Sequence, residues 1–133
     1  MNLVERGRVG AERLAIARMV VGLTAFLFPR AFGRLWIAET GSSRRVAMVT
    51  RAFAVRDFAL GLGAYRALKD GSPVRGWVEM GLLSDVTDSA SALTGPPPMA
   101  RRIVLAFTAL IGAAGGVLAL DGIDDPVVAT DES

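Results

Sequence analysis

From Ile103 to Leu120 the chain runs 18 residues without a charge, and Thr108 is the one polar side chain in the run. A helix rising about 1.5 Å per residue would make this stretch roughly 27 Å long, close to the hydrocarbon thickness of a bilayer. Both edges are sharply marked. Gly95-Pro96-Pro97-Pro98 and Arg101-Arg102 precede the run, and Asp121, Asp124 and Asp125 follow it. Three further apolar segments of similar length, Ala11–Phe28, Val46–Leu68 and Val74–Leu93, are set apart by turn chemistry. Pro29 ends the first, and Lys69-Asp70-Gly71-Ser72-Pro73 is short enough to force the second and third to run antiparallel as neighbours.

The pattern predicts an all-α fold over residues 1–133: a single antiparallel four-helix transmembrane bundle with an acidic, mobile tail at 121–133. Between the first two helices, Arg30 to Arg45 sets Phe32, Leu35, Trp36 and Ile37 among basic residues. That stretch reads as a short interfacial helix and turn, or as a plain loop. An apolar content of 52% and a mean hydropathy of +0.43 agree with a membrane chain. A cleaved signal peptide is not expected, because Arg18 interrupts the first segment and Pro29-Arg30 stands where a small-residue cleavage site belongs. Lys and Arg in the short loops balance six against six across the two sides, so they do not orient the bundle. Four crossings put both termini on one side of what we read as the cell membrane, with the cytoplasm as the expected side.

Composition removes several chemistries. Fifteen basic against 13 acidic residues leave a net charge of +2, too little for a nucleic-acid partner. Cysteine and histidine are both absent, which excludes disulfides, thiolate zinc sites, imidazole-held haem and any nucleophile paired with histidine. Carboxylate, guanidinium and hydroxyl groups remain.

Those groups sit inside the apolar segments. At about 100° per residue, the first segment places Ala11, Ala15, Arg18, Gly22 and Ala25 on one stripe. The second has two such stripes, Ala52, Arg56, Ala59, Gly63 and Ala54, Asp57, Gly61, Ala64, while Val55, Phe58, Leu62 and Tyr65 fill the remaining arc. The third aligns Trp77, Gly81, Ser84, Asp85, Asp88, Ser91 and Ala92 opposite Leu82, Leu83, Val86 and Leu93. Charges therefore segregate with small residues, as they must if the opposite faces meet lipid. Counted along the helices, Arg56, Asp57, Asp85 and Asp88 fall about 15 to 20 Å from a helix end, and Arg18 at about 10 Å could reach the same layer.

Arg18, Arg56, Asp57, Ser84, Asp85 and Asp88 are thus the candidate cluster. Two arginines and three aspartates leave a formal −1, which a shared proton, a bound cation, a cationic ligand or internal water would compensate. Arg56 neutralising one or two aspartates to fix helix register is the competing reading. Arg51 and Glu79, near helix ends on the outward arc, need only snorkel. In the fourth segment Gly112, Gly115 and Gly116, with Thr108, Ala109 and Ala119 alongside, suit close helix packing, inside the bundle first and between subunits as the alternative.

Other motifs are weak. Gly61-Leu62-Gly63 lies mid-helix and follows no strand, so it is no dinucleotide loop. Asp85 and Asp88 at i, i+3 could hold Mg²⁺ with a phosphate, but the spacing is common, and no metal or cofactor is expected.

Phe28-Pro29-Arg30, then Arg51, Arg56-Asp57 and Leu60-Gly61, then Asp85 and Asp88 resemble a domain-of-unknown-function family of small four-helix bacterial and fungal integral membrane proteins. That family is similar in size to the DoxX-like membrane proteins. The resemblance covers about three quarters of the chain, with Arg56-Asp57 its most specific element. It implies the architecture and the importance of Arg56, Asp57, Asp85 and Asp88, but no substrate.

Three functions stay open. The first is a non-enzymatic accessory or small-ligand-binding membrane protein, with the lipid bilayer, a lipophilic small molecule, and a homo-oligomer or larger membrane complex as partners. The second is a membrane enzyme using Asp85 or Asp88 as general acid or base. The third is a proton- or cation-coupled transporter working as an oligomer.

Overall fold

The computed structural model describes residues 3–37, 43–94 and 99–120. All regular structure among them is helical: α1 (Leu3–Leu27), α2 (Pro29–Ile37), α3 (Arg44–Asp70), α4 (Arg75–Thr94) and α5 (Met99–Leu120). Residues 95–98 and the tail 121–133, expected as a stop and a mobile segment, lie outside the described residues.

Helix ends follow local chemistry more than the apolar runs. α1 starts eight residues before the apolar segment because Leu3–Gly10, although it carries Glu5, Arg6 and Arg8, contains no proline to stop the helix. It stops at Pro29, whose missing N–H and fixed φ suit the first position of the next helix. Phe28 N still donates to Thr24 O at 2.9 Å, and Phe32 N to Phe28 O at 3.0 Å, so α1 and α2 are hydrogen-bonded across the junction. The basic stretch after Pro29 is therefore a helix through Ile37, while residues 38–42 lie outside the described set. Ser43 caps α3 by accepting from Val46 N at 3.2 Å. At the other end Gly71 takes φ 70° and closes the helix, with its N–H donating to Ala67 O and Ser72 N donating to the same carbonyl at 2.9 Å.

The long helices form two closely packed antiparallel pairs. On α1 and α3, a Cβ at Gly22 would lie 2.6 Å from Ala54 O, and one at Gly61 would lie 2.6 Å from Ala15 O. Rising residue numbers on one helix meet falling numbers on the other, and glycine is required where the backbones touch. The stripe Ala11, Ala15, Gly22, Ala25 is buried as its spacing predicts. On α4 and α5, Gly116 packs on Leu82 and Val78, and Ser89 Oγ donates to Ala106 O at 3.5 Å. The pairs join where Leu14 approaches Gly115, where Trp77 lies over Gly63, and through the ionic cluster. α3 and α4 are consecutive but share less surface than either pair.

Four face assignments need correction, the first being Ser91, which is exposed instead of lying on the inward face of α4. Leu82 packs inward on Gly116, because α4 turns that side toward α5. Trp77 is exposed over Gly63 instead of lying inside the small-residue face. Of the two small stripes on α3, the one bearing Ala54, Gly61 and Ala64 is buried, while Ala52 and Ala59 are exposed, since α1 can occupy only one of them.

Bulk is distributed toward the outside of the bundle. Among the described residues, the buried apolar side chains are alanines together with Val74 and Val78, and no large side chain is fully buried. Phe28, Met48, Phe107 and Leu118 are instead 62–71% exposed.

Among the described residues no helix is long and apolar enough to cross a membrane. Charge interrupts three of them: Glu12, Arg13 and Arg18 in α1, Arg51, Arg56 and Asp57 in α3, and Glu79, Asp85 and Asp88 in α4. In α5 the uncharged run includes Val104 and Leu105, whose side chains lie outside the described ones.

Candidate functional site

α1, α3 and α4 bring Arg18, Arg56, Asp57, Asp85 and Asp88 into one continuous chain of alternating charge. Arg18 Nη2 donates to Asp85 Oδ2 and, at 2.8 Å, to the carbonyl of Gly81 one turn earlier on α4. Its Nη1 lies 3.5 Å from Asp57 Oδ1. The same oxygen accepts from Arg56 Nε at 3.4 Å and Nη2 at 3.2 Å. Arg56 then reaches across to α4 and grips Asp88 with two parallel bonds, Nη1 to Oδ1 at 3.2 Å and Nη2 to Oδ2 at 2.6 Å. The order is Asp85, Arg18, Asp57, Arg56, Asp88.

Depth differs along this chain. The side chains of Arg18 and Asp85 are 11% and 14% exposed, whereas those of Arg56 and Asp88 are 32% and 37% exposed. The Arg18 end is the buried one, and Arg56 opens toward the surface, where its guanidinium stacks 5.1 Å from the centroid of the Phe53 ring.

Glycines make space for the buried end. A Cβ at Gly81 would lie 3.1 Å from Arg18 Nε, and one at Gly112 would lie 2.8 Å from Asp85 Oδ2. The ion pair therefore rests between a glycine of α4 and a glycine of α5, so the charge-free fifth helix also shapes the site. Gly112 was readable only as a packing residue, because its role depends on how α5 is rotated toward Asp85.

Ser84 is buried on the same helix but joins none of these bonds. Ser89, which sequence reasoning passed over, is buried and donates to Asp85 O at 2.8 Å. Its i, i+4 spacing from Asp85 was the available signal. Arg51 and Glu79 lie outside the cluster: Arg51 Nε donates to Phe26 O at 3.4 Å, and Glu79 pairs with Arg75 at 3.5 Å. Among the described residues no group of histidine, cysteine or carboxylate side chains could hold a metal ion.

Chemically, each of the three aspartates is engaged by at least one guanidinium, and the bidentate Arg56–Asp88 pair has the geometry in which arginine holds a carboxylate most firmly. The arrangement ties three helices together across their packed faces. Compared with known proteins, the chain matches no family model, no curated sequence and no solved structure.

Proposed function

We propose that this chain is a small integral membrane protein of non-enzymatic accessory or ligand-binding type, in which the arginine–aspartate chain locks three of four crossing helices together at mid-depth. The observation that carries the proposal is the inverted distribution of bulk and charge. Alanine, glycine, serine and the ion chain face inward, while Phe107, Leu110, Ile111 and Leu118 on α5, Val20, Leu23 and Phe26 on α1, and Leu83, Val86 and Leu93 on α4 face outward. Water penalises such a surface, and hydrocarbon does not.

The charges that lower the helices' hydropathy are compatible with this reading. Arg18, Arg56, Asp57, Asp85 and Asp88 pair with one another, Glu12 pairs with Lys69 of α3, and Arg51 and Glu79 lie within about two turns of a helix start. An accessory or binding role is favoured over acid–base catalysis because each aspartate of the cluster already has a guanidinium partner.

The test is extraction followed by weighing. Membranes from expressing cells, washed in alkaline carbonate, should retain the protein until detergent is added. Native mass spectrometry of the detergent-released protein should then show a lipophilic molecule that is lost in Asp88→Asn if the cluster binds one, or a clean mass in both if the cluster only packs helices. Release by carbonate as a species monodisperse without detergent would sink the membrane reading and leave a soluble oligomer that covers the same apolar faces.

A further inference from the structure

Where α1 passes into α2 and α3 begins, an open groove of about 710 Å³ is lined by Arg30, Arg34, Arg44 and Arg51, with the apolar Phe28 and Met48 beside them. Among the described residues no carboxylate lines it, and all four arginines are exposed. Arg51 is held in place by Phe26, whose carbonyl accepts from its Nε at 3.4 Å and whose ring centroid lies 5.8 Å from the guanidinium carbon. Arg30, Arg34 and Arg44 make no ion pair among the described residues. Glu39, the one acidic residue of the sequence between Glu12 and Asp57, lies outside the described residues.

A second feature of the same place raises its positive potential. Both α2 and α3 start at the groove, and neither carries an acid in its first turn. Arg30 stands in the first turn of α2, and Arg44 and Arg45 open α3. A helix N-terminus bears a partial positive charge, so arginine there is repelled where an acid would be attracted. Two helix starts and four guanidinium groups around one opening are unfavourable without an anion and favourable with one.

The surroundings select the kind of anion. Phe28 and Met48 leave 62% and 67% of their surface open at the edge of the groove, continuous with the apolar flank of α1 at Leu27. A phosphate seated among the arginines would leave an attached acyl chain lying along that flank. We infer that this groove binds the headgroup of an anionic phospholipid, with its chains against the outer faces of α1 and α3. The inference rests on the membrane reading above.

The full-length protein in neutral detergent micelles, titrated with phosphatidylglycerol, phosphatidylcholine or inorganic phosphate and followed by native mass spectrometry, tests it. Phosphatidylglycerol should be retained in preference to phosphatidylcholine, and Arg30→Gln/Arg34→Gln should weaken its binding about 30-fold. Arg34→Gln alone, about fivefold weaker, is the second variant should the double lose helicity by circular dichroism. Equal retention of both phospholipids, or retention of phosphatidylglycerol by the variants as in wild type, overturns the site. Inorganic phosphate binding as tightly as phosphatidylglycerol also overturns it, in favour of a small-anion site. A protein that survives carbonate washing but fails these tests loses only the lipid site, whereas one released by carbonate fails at the earlier step.

Discussion

In the middle of the bundle, Arg18 with 11% of its side chain exposed joins Asp85 and Asp57. Where α3 turns toward α4, Lys69 with 53% exposed meets Glu12 of α1. Distance alone would rank these wrongly, for Lys69–Glu12 closes to 2.7 Å while Arg18–Asp57 spans 3.5 Å. Surroundings reverse the order. Unit charges about 4 Å apart attract by about 1 kcal/mol in water and about 4 kcal/mol at the effective dielectric of a protein. The structure reflects this in what it gives up for each pair. Gly81 and Gly112 stay bare so that Arg18 and Asp85 fit, whereas a Cβ at Gly71 or Gly76, near the Lys69 end, would meet nothing within 4 Å.

The largest effect should come from Arg18→Met, which keeps the aliphatic stem and removes the cation shared by Asp85 and Asp57. Stripping one partner from a buried pair costs about 3–5 kcal/mol, because the carboxylate left behind is desolvated and unpaired. Denaturant unfolding of the detergent-solubilised protein measures it. A variant as stable as wild type would mean that the interior chain does not hold the helices together.

Why the centre is so constrained bears on what could be read in the sequence. The stripe Ala11, Ala15, Arg18, Gly22, Ala25 was legible because its 4-3-4-3 spacing has one helical solution, and an arginine within it must find a partner. The stops were legible too: Pro29 closes α1, and Gly71 supplies the left-handed residue that ends α3. Rotation about the helix axes was not. Two small stripes on α3 compete for one partner, and only the assembled bundle buries Ala54 and leaves Ala59 open. For the same reason the membership of the cluster could be listed but its wiring could not. Arg56 and Asp57 are adjacent in sequence, yet the firmest grip of Arg56 is on Asp88 of another helix.

That wiring sets the second prediction, intermediate in size because the Arg56 end is partly open to solvent. Arg56→Gln and Asp88→Asn should each cost about 1–2 kcal/mol, and the double variant should recover about 1 kcal/mol of their sum. Arg56→Gln/Asp57→Asn should recover less, since it leaves Asp88 without its bidentate partner. Unfolding midpoints of the four proteins in each cycle decide the matter. Equal recovery in both cycles would make the sequence neighbour as important as the partner across the helices.

The smallest effect belongs to the pair at the end. Glu12 raises the Lys69 pKa above its ordinary 10.5 through their hydrogen bond and then through charge attraction. A raised lysine contributes stability that is fully present below its unfolded value and is lost as pH rises through the folded one, so any contribution should fade only in strongly alkaline solution. Both side chains are open to solvent and ions, which screen the attraction and leave each free to hydrate alone. Lys69→Gln should therefore leave the unfolding midpoint at neutral pH where it was, and added salt should erase what small shift exists. The buried Arg18–Asp85 pair, shielded from those ions, should keep its effect at the same salt concentration. A loss on Lys69→Gln as large as that on Arg18→Met, and equally resistant to salt, would mean that the two sites share one environment, and the reasoning from depth would fail for both.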